Sequence, residues 1–186
     1  MSSFSSALRA LYGSYRLVFF DKSGFSYFDT SVSGFWRSFT AAFLISPFFF
    51  TVVFTIYLAE QIDLPLSKYM SHEISAYILS WLVFPVLMEQ LTKLMGCRDK
   101  YINFIVAYNW SMVPQYAVFI LLLTLGLMGI IPPELSDSLS VMLLVWTFFY
   151  AGFITKSMLQ LSLQTTIVII VIDFLLGLTI DLAITG

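Results

Sequence analysis

The stretch TTIVIIVIDFLLGLTIDLAI, residues 165–184, has twenty residues, no basic side chain and only two acidic ones. A helix of this length is ~30 Å long, which matches the hydrocarbon thickness of a bilayer. The stretch therefore predicts a membrane-spanning helix. Asp173 stands at its middle, and a carboxylate at that depth normally has either a partner or a function.

The whole chain has the composition of a membrane protein. Its 186 residues are 59% hydrophobic, 18% aromatic and 11% charged, whereas soluble domains carry roughly 25% charged residues. The ~10-residue alternating segments that are typical of membrane β-barrels do not occur in the sequence. We therefore predict an all-α fold, a polytopic membrane helical bundle.

Glycines, prolines and charged clusters divide the chain into five predicted transmembrane helices. These spans cover residues 38–59, 74–95, 102–131, 138–160 and 162–184. Residues 1–37 form a cytoplasmic or interfacial segment, which we call the lead, and residues 1–186 together form a single predicted membrane domain. The first residues lack an apolar core followed by a small-residue cleavage site, so we expect no cleavable signal peptide.

The basic residues predict how the chain crosses the membrane. Eight of the nine basic residues lie on one predicted side of the membrane: Arg9, Arg16, Lys22, Arg37, Lys93, Arg98, Lys100 and Lys156. Only Lys68 falls on the other side. Because basic residues concentrate in cytoplasmic segments, we expect a cytoplasmic amino terminus and an external carboxyl terminus.

The lead predicts an amphipathic helix. Its apolar residues at helical spacing are Leu8, Leu11, Tyr12, Tyr15 and Phe19. Arg9 and Arg16 occupy other faces of that helix. Two arrangements fit: the helix lies in the headgroup layer with its apolar face down, or it packs on the cytoplasmic side of the protein's own spans. Trp36 and Arg37, which follow the helix, suit the membrane boundary.

Polar side chains inside the predicted spans are the candidate functional residues. At ~1.5 Å per residue, Glu89 lies about 9 Å from the cytoplasmic end of its span, Asn109 about 10 Å, Asp173 about 16 Å and Gln115 about 20 Å. Lys93 follows Glu89 by four residues, which predicts an ion pair on one helix face near the interface.

Asp173 has no basic residue at its depth, so either it is protonated or another group neutralises it. The candidates of similar depth are Gln115, Asn109, Tyr116 and Tyr150. Three roles remain open: an interhelical hydrogen bond that fixes packing, a proton or cation relay with Glu89, or a contact with a partner subunit.

Three prolines fall near one depth in different spans. Pro47, Pro85 and Pro114 lie about 14, 15 and 18 Å from the cytoplasmic end at ~1.5 Å per residue. Each removes a backbone donor and tends to kink its helix. They are either the ordinary prolines of membrane spans or breaks that open a small cavity at mid-membrane.

The sequence contains no motif that indicates an enzyme. It has no phosphate-binding glycine loop, HExxH pair or GxSxG elbow, one cysteine and one histidine. We therefore expect no catalytic residue, no metal site and no cofactor. The net charge of −2 likewise does not favour nucleic acid as a partner.

Four segments, in order, resemble the Yip family of five-span membrane proteins. They are GFWRSFTAAFLISP (34–47), VAYNWSMVPQ (106–115), LLVWTFFYAGFITKSM (143–158) and LSLQTT (161–166). The resemblance covers roughly residues 35–184 and implies the five-helix Yip fold and a non-catalytic role. Eukaryotic members are associated with Rab-type GTPases and vesicle membranes. The short basic lead and minimal loops of this chain look more like a bacterial inner-membrane member.

Two functions follow as hypotheses. The first is a non-enzymatic membrane scaffold or accessory component that lies in the lipid bilayer and binds another membrane protein or a second copy of itself. The alternative is a small proton-coupled or solute carrier, or a channel component, in which Asp173 and Glu89 take part in the transport path.

Overall fold

The computed structural model describes residues 3–59 and 61–185. This part of the chain is all-α. Its helices are α1 (Ser3–Val18), α2 (Val32–Ser38), α3 (Thr40–Ala59), α4 (Leu66–Leu94), α5 (Tyr101–Leu127), α6 (Pro133–Leu159) and α7 (Leu163–Thr185). Two short 3₁₀ helices, Lys22–Tyr27 and Arg98–Lys100, connect α1 to α2 and α4 to α5.

The predicted five-helix membrane bundle is confirmed. Five segments are long and apolar enough to cross a membrane: Val32–Ala59, Leu66–Leu94, Arg98–Leu127, Pro133–Leu159 and Leu163–Ile184. Their mean hydropathy runs from 1.5 to 2.6. The first of them combines α2 and α3, which meet at Phe39.

Several helix ends lie four to eight residues from the predicted span boundaries. The second span begins at Leu66 rather than 74, directly after Pro65, and the fourth begins at Pro133 rather than 138. Proline is favoured at a helix start because its missing N–H would have no partner there. The polar residues that follow each proline continue the helix beyond its apolar part, and hydropathy alone does not detect such extensions.

Two glycines explain where α4 and α5 end. Gly96 and Gly129 have φ of +69° and +67°, a conformation that glycine adopts without the steric cost of a Cβ atom. After α5, the Ile130 amide bonds to the Leu125 carbonyl at 3.0 Å and the Gly129 amide to the Gly126 carbonyl at 2.9 Å. This is the Schellman arrangement, and it ends the third span at Leu127 rather than at 131.

The helices are longer than a bilayer requires. The 29 residues of α4 and the 27 of α5 correspond to ~40–44 Å at 1.5 Å per residue, against ~30 Å of hydrocarbon. We call the end where α4 ends, α5 begins, α6 ends and α7 begins the basic end, because Lys93, Arg98, Lys100 and Lys156 lie there.

The buried core sits toward the basic end. One apolar cluster joins the lead to α5 and α6 through Leu17, Trp110 and Tyr150. A second joins α4, α5 and α7 through Phe84, Phe104 and Ile169. Toward the other end of the bundle, large apolar side chains are mostly exposed: for example, Leu127 is 61% and Met142 66% exposed. That surface suits lipid as its solvent.

The lead docks on the bundle through small residues. Ala10, Gly13 and Ser14 are buried on one face of α1, and the Tyr150 hydroxyl donates to the Ser14 carbonyl at 3.4 Å. Gly13 also lies against Gly24 of the first 3₁₀ helix, where a Cβ on Gly13 would stand 2.7 Å from the Gly24 carbonyl oxygen. The two backbones therefore touch.

The docking leaves most of the predicted apolar face of α1 exposed. The packed face consists of Ala10, Gly13, Ser14 and Leu17, whereas four members of the predicted apolar face point outward. Their exposed fractions are 51% for Leu8, 49% for Tyr12, 59% for Tyr15 and 66% for Phe19. We call the three aromatic members, Tyr12, Tyr15 and Phe19, the aromatic row. The helix thus packs on the spans, and its position in the headgroup layer stays a prediction.

Candidate functional site

The deepest carboxylate in α7 is hydrogen-bonded to a tyrosine. The Tyr108 hydroxyl of α5 lies 3.0 Å from each carboxylate oxygen of Asp173. The Tyr108 ring is held by two aromatic neighbours, with centroid distances of 4.5 Å to Phe84 and 5.8 Å to Phe104. Asp173 thus has a donor fixed in position by packing.

The predicted partners of Asp173 were wrong, since each bonds elsewhere or lies apart. Gln115 donates to the Ser111 carbonyl of its own helix at 3.1 Å. Asn109 bonds to Ser38, and Tyr150 bonds to the lead. The error arose from assigning partners by depth alone. Tyr108 is adjacent to Asn109 in sequence, but the two side chains reach different helices, α7 and α2, and depth does not tell which side of α5 faces α7.

Asn109 anchors the junction between α2 and α3. It is 1% exposed, and its Nδ2 donates to the Ser38 Oγ at 2.8 Å. Ser38, which is fully buried, in turn donates to the Phe35 carbonyl at 2.7 Å. Ser38 could not be selected from the sequence, because a serine at the start of an apolar helix is common. The bond ties the entry of the first span to α5.

Glu89 pairs with a different cation from the one predicted. Its carboxylate lies 2.9 Å from the Arg98 guanidinium, and no ion pair with Lys93 occurs among the described residues. The exposed fractions of the side chains are 66% for Arg98 and 28% for Glu89. The turn at Gly96 brings Arg98 back toward α4, so a residue beyond the helix reaches Glu89. This pair lies at the basic end.

The structure does not bring the three prolines together around a cavity. Pro47, Pro85 and Pro114 lie inside α3, α4 and α5, which continue through them. Pro85 is buried and Pro47 is exposed. None of the three lines any groove described below. The Pro85 carbonyl accepts a hydrogen bond from the Tyr101 hydroxyl at 3.1 Å, which joins α4 to α5.

Two ion pairs order the lead. The Arg16 Nε donates to the Asp21 Oδ2 at 2.8 Å, and Arg37 pairs with Asp29. Hydrogen bonds from Ser23 and then the Arg16 guanidinium lower the pKa of Asp21 to about 2. Hydrogen bonds from Ser31, with Arg37 contributing less, lower the pKa of Asp29.

The remaining candidates for membrane-surface contact are exposed. Arg9 is exposed on α1, and Trp36 is 69% exposed on α2. Together with the aromatic row, Trp36 provides amphipathic rings of the kind that prefer the interface between headgroups and hydrocarbon.

Four grooves open on the outside of the described part of the bundle. The largest, of about 700 Å³, runs between α6 and α7 and has Lys156 at the basic end. Two lie between α5 and α6: one of about 400 Å³, which Val18 of α1 also lines, and one of about 390 Å³, which includes Gln115 and Tyr116. The fourth, of about 370 Å³, lies between α3 and α5. Asp173 lines none of the four, although its neighbour Phe174 lines the largest.

No family model, curated protein or solved structure matches this chain. The resemblance to the Yip family therefore stays a prediction.

The chemistry that the site offers is hydrogen bonding between helices. Within residues 3–59 and 61–185, no group of three or more His, Cys, Asp or Glu side chains stands close enough to hold a metal ion. Cys97 is buried next to the second 3₁₀ helix, and burial raises the pKa of its thiol. The polar side chains of α5 instead connect it to α7 and to the α2–α3 junction.

Proposed function

We propose that this chain is a non-enzymatic, Yip-like integral membrane protein that acts as a scaffold or accessory component for another membrane protein. The observation that supports this role is that the polar groups inside the bundle bind one another across helices. Asp173 accepts from Tyr108, and Asn109 donates to Ser38. Groups used in this way fix one arrangement of the helices.

A carrier would need these groups to exchange partners. A transport path requires the polar side chains to face water or solute during the cycle, whereas Glu89, Asn109 and Asp173 line none of the four grooves on the outside of the bundle. The pairing of these polar residues therefore favours a rigid support, with or without the resemblance to the Yip family.

We place the protein in the cytoplasmic membrane of a bacterium, with the basic end inside. Eight of the nine basic residues lie in the lead or at the basic end, and Lys68 alone lies at the other end. Such an asymmetry sets orientation in short-loop membrane proteins. A reporter fused after Gly186 should be accessible only from outside the cell. Accessibility from the cytosol alone would contradict this orientation.

The basic end is the surface that we assign to a membrane-protein partner or a second copy. It holds the docked lead and the exposed cations Lys93 and Arg98. Isolation from native membranes in mild detergent should therefore recover a companion in fixed stoichiometry. A combined Lys93→Glu and Arg98→Glu variant should lose this companion, because charge reversal acts strongly on complementary surfaces.

Lys68→Glu is the matched control, since Lys68 is exposed at the opposite end of the bundle. It should retain the companion. If the wild-type chain is recovered alone at every detergent concentration, neither self-associated nor accompanied, the scaffold proposal fails.

A second candidate is a proton-coupled carrier, which the Tyr108–Asp173 pair alone favours. A phenol and a carboxylate 3.0 Å apart are chemically able to pass a proton, and this pair lies between two spans. Proton flux into liposomes that contain the wild-type chain, abolished in Asp173→Asn, would support the carrier. Flux that is equal in both proteins would remove it.

A further inference from the structure

The largest groove has the dimensions of a lipid chain in one leaflet. Its walls are formed by α6 between Phe148 and Phe153 and by α7 between Leu163 and Phe174. The rise along α7 from Leu163 to Phe174 is ~16 Å at 1.5 Å per residue, about half of the ~30 Å hydrocarbon layer. The volume of about 700 Å³ lies within the roughly 300–1,000 Å³ of ordinary ligand pockets.

Two aromatic rings close the deep end of the groove, and one position on its α6 wall is a glycine. The rings of Phe148 and Phe174 meet edge to face with centroids 5.5 Å apart. Gly152 lies on the α6 wall, where a Cβ would stand 3.2 Å from the Ile170 Cδ1. The absence of a side chain on Gly152 leaves room for a chain to lie between the two helices.

The mouth of the groove carries a single positive charge. Lys156 is the one charged residue that lines it, and the ammonium group is exposed with no ion-pair partner among the described side chains. Leu163, the first residue of α7, lines the same groove. Basic pockets at the membrane surface select anionic headgroups.

Phe20 of the lead also lines the groove, and its backbone is in the left-handed conformation. Phe20 has φ of +59°, in the position after α1 where glycine is usual. Its ring packs on Phe153 at 5.3 Å and on Tyr150 at 6.5 Å. The left-handed conformation therefore directs the ring to the groove.

We propose that this groove binds an acyl chain of an anionic phospholipid, with the headgroup phosphate at Lys156. The chain would lie along α7 from Leu163 to Phe174, within the leaflet at the basic end. The apolar walls recognise the acyl chain, and the uncompensated ammonium distinguishes an anionic headgroup from a zwitterionic one. The mouth of this groove lies at the basic end, but Lys93 and Arg98, which we assign to the protein partner, do not line it, and the lipid site does not depend on the scaffold proposal.

Native mass spectrometry of the purified protein tests the headgroup. The probes are phosphatidylglycerol and phosphatidylcholine with identical acyl chains, added to delipidated protein. We expect one phosphatidylglycerol to bind preferentially, and Lys156→Gln to weaken it by about fivefold, which is the effect of one basic residue near an anionic surface. Lys156→Arg should retain binding. Lys93→Gln, an exposed cation of the same end outside the groove, should bind like the wild type.

Filling the groove tests the acyl chain. Ile167 and Val168 are adjacent on α7 and 51% and 55% exposed, but only Ile167 lines the groove. We expect Ile167→Phe to abolish the bound lipid and Val168→Phe to retain it. Val171→Phe, a second substitution in the wall, decides the test if Ile167→Phe does not fold.

Three results would overturn the proposal. They are equal binding of the two lipids by the wild type, equal binding by Lys156→Gln and Lys93→Gln, and retention of lipid in both groove-filling variants. Preferential capture of a free fatty acid over phosphatidylglycerol would also overturn it, because the phosphate would then not be the group recognised.

Discussion

The hydroxyl of Tyr108 stands 3.0 Å from both carboxylate oxygens of Asp173. The helix that carries Asp173 packs mainly against α4 and α6, so this hydrogen bond adds a direct link from α7 to α5. The Tyr108 ring packs beside Phe84 of α4. One hydrogen bond thus couples the last span to the helix that also holds the lead and the first span.

Removing the Tyr108 hydroxyl should destabilise the bundle without a change in proton flux. We expect Tyr108→Phe to lower the free energy of unfolding by ~0.6–2 kcal/mol, the range for interhelical hydrogen bonds in membranes. Asp173→Asn should lower it less, because the amide oxygen still accepts from Tyr108. Thermal unfolding in detergent measures both.

Tyr116→Phe is the control for this experiment. Within the described part of the chain the Tyr116 hydroxyl makes no hydrogen bond, so its loss should leave the melting temperature unchanged. An equal shift in Tyr108→Phe and Tyr116→Phe would show that the Asp173 bond contributes nothing.

Substituting either glycine between α1 and the first 3₁₀ helix should undock the lead. A Cβ on Gly24 would stand 2.5 Å from the Gly13 carbonyl oxygen and one on Gly13 2.7 Å from the Gly24 carbonyl oxygen. Both distances are too short, and the neighbour is backbone, so the two segments must separate. We expect Gly13→Ala and Gly24→Ala to increase protease cleavage near the lead several-fold.

Gly177→Ala provides the comparison, since nothing lies within 4 Å of a Cβ at that position. It should leave cleavage of the lead unchanged. If Gly13→Ala is cleaved no faster than Gly177→Ala, the close approach of the two backbones is not what holds the lead.

The sequence predicted the five-helix bundle more accurately than the side-chain contacts between its helices, for physical reasons. Five apolar segments long enough to span a bilayer are sufficient to predict five helices, because the lipid requires every backbone group to be bonded within a helix. Which side of a helix faces its neighbour is set by packing. The largely apolar α5 gives no sign of which side faces α7, so the Tyr108–Asp173 pair was missed. The packed face of the lead was not detected because three of its residues, Ala10, Gly13 and Ser14, carry little hydrophobicity.

Double-mutant cycles test whether Glu89 pairs with Arg98 rather than with Lys93. A double-mutant cycle of Glu89→Gln with Arg98→Gln should show a coupling of ~0.2–1 kcal/mol, as expected for a pair near the surface. The same cycle with Lys93→Gln should show none. A larger coupling to Lys93 than to Arg98 would return the pair to the one that the sequence predicted.

Acid should weaken the turn that follows α1. The pKa of Asp21 falls from its ordinary 3.8 to about 2 in the folded chain, so the folded state favours the charged carboxylate. Its contribution is complete above pH ~4 and is lost as the pH falls toward 2. The difference in melting temperature between the wild type and Asp21→Asn should therefore be constant from pH 7 to 5 and shrink below pH 4. A difference that does not change with pH would contradict this.

The Asn109–Ser38 pair should show that an unpaired buried group is worse than no polar group. Both side chains are almost fully buried, and Ser38→Ala leaves the Asn109 amide without the acceptor that it reaches at 2.8 Å. We expect a loss of about 1–3 kcal/mol in unfolding free energy. Adding Asn109→Leu removes the unsatisfied amide and keeps the branching at Cγ, so the double variant should be more stable than Ser38→Ala alone. If the double variant is instead destabilised by the sum of the two single changes, the residues act independently and the hydrogen bond does not anchor the α2–α3 junction to α5.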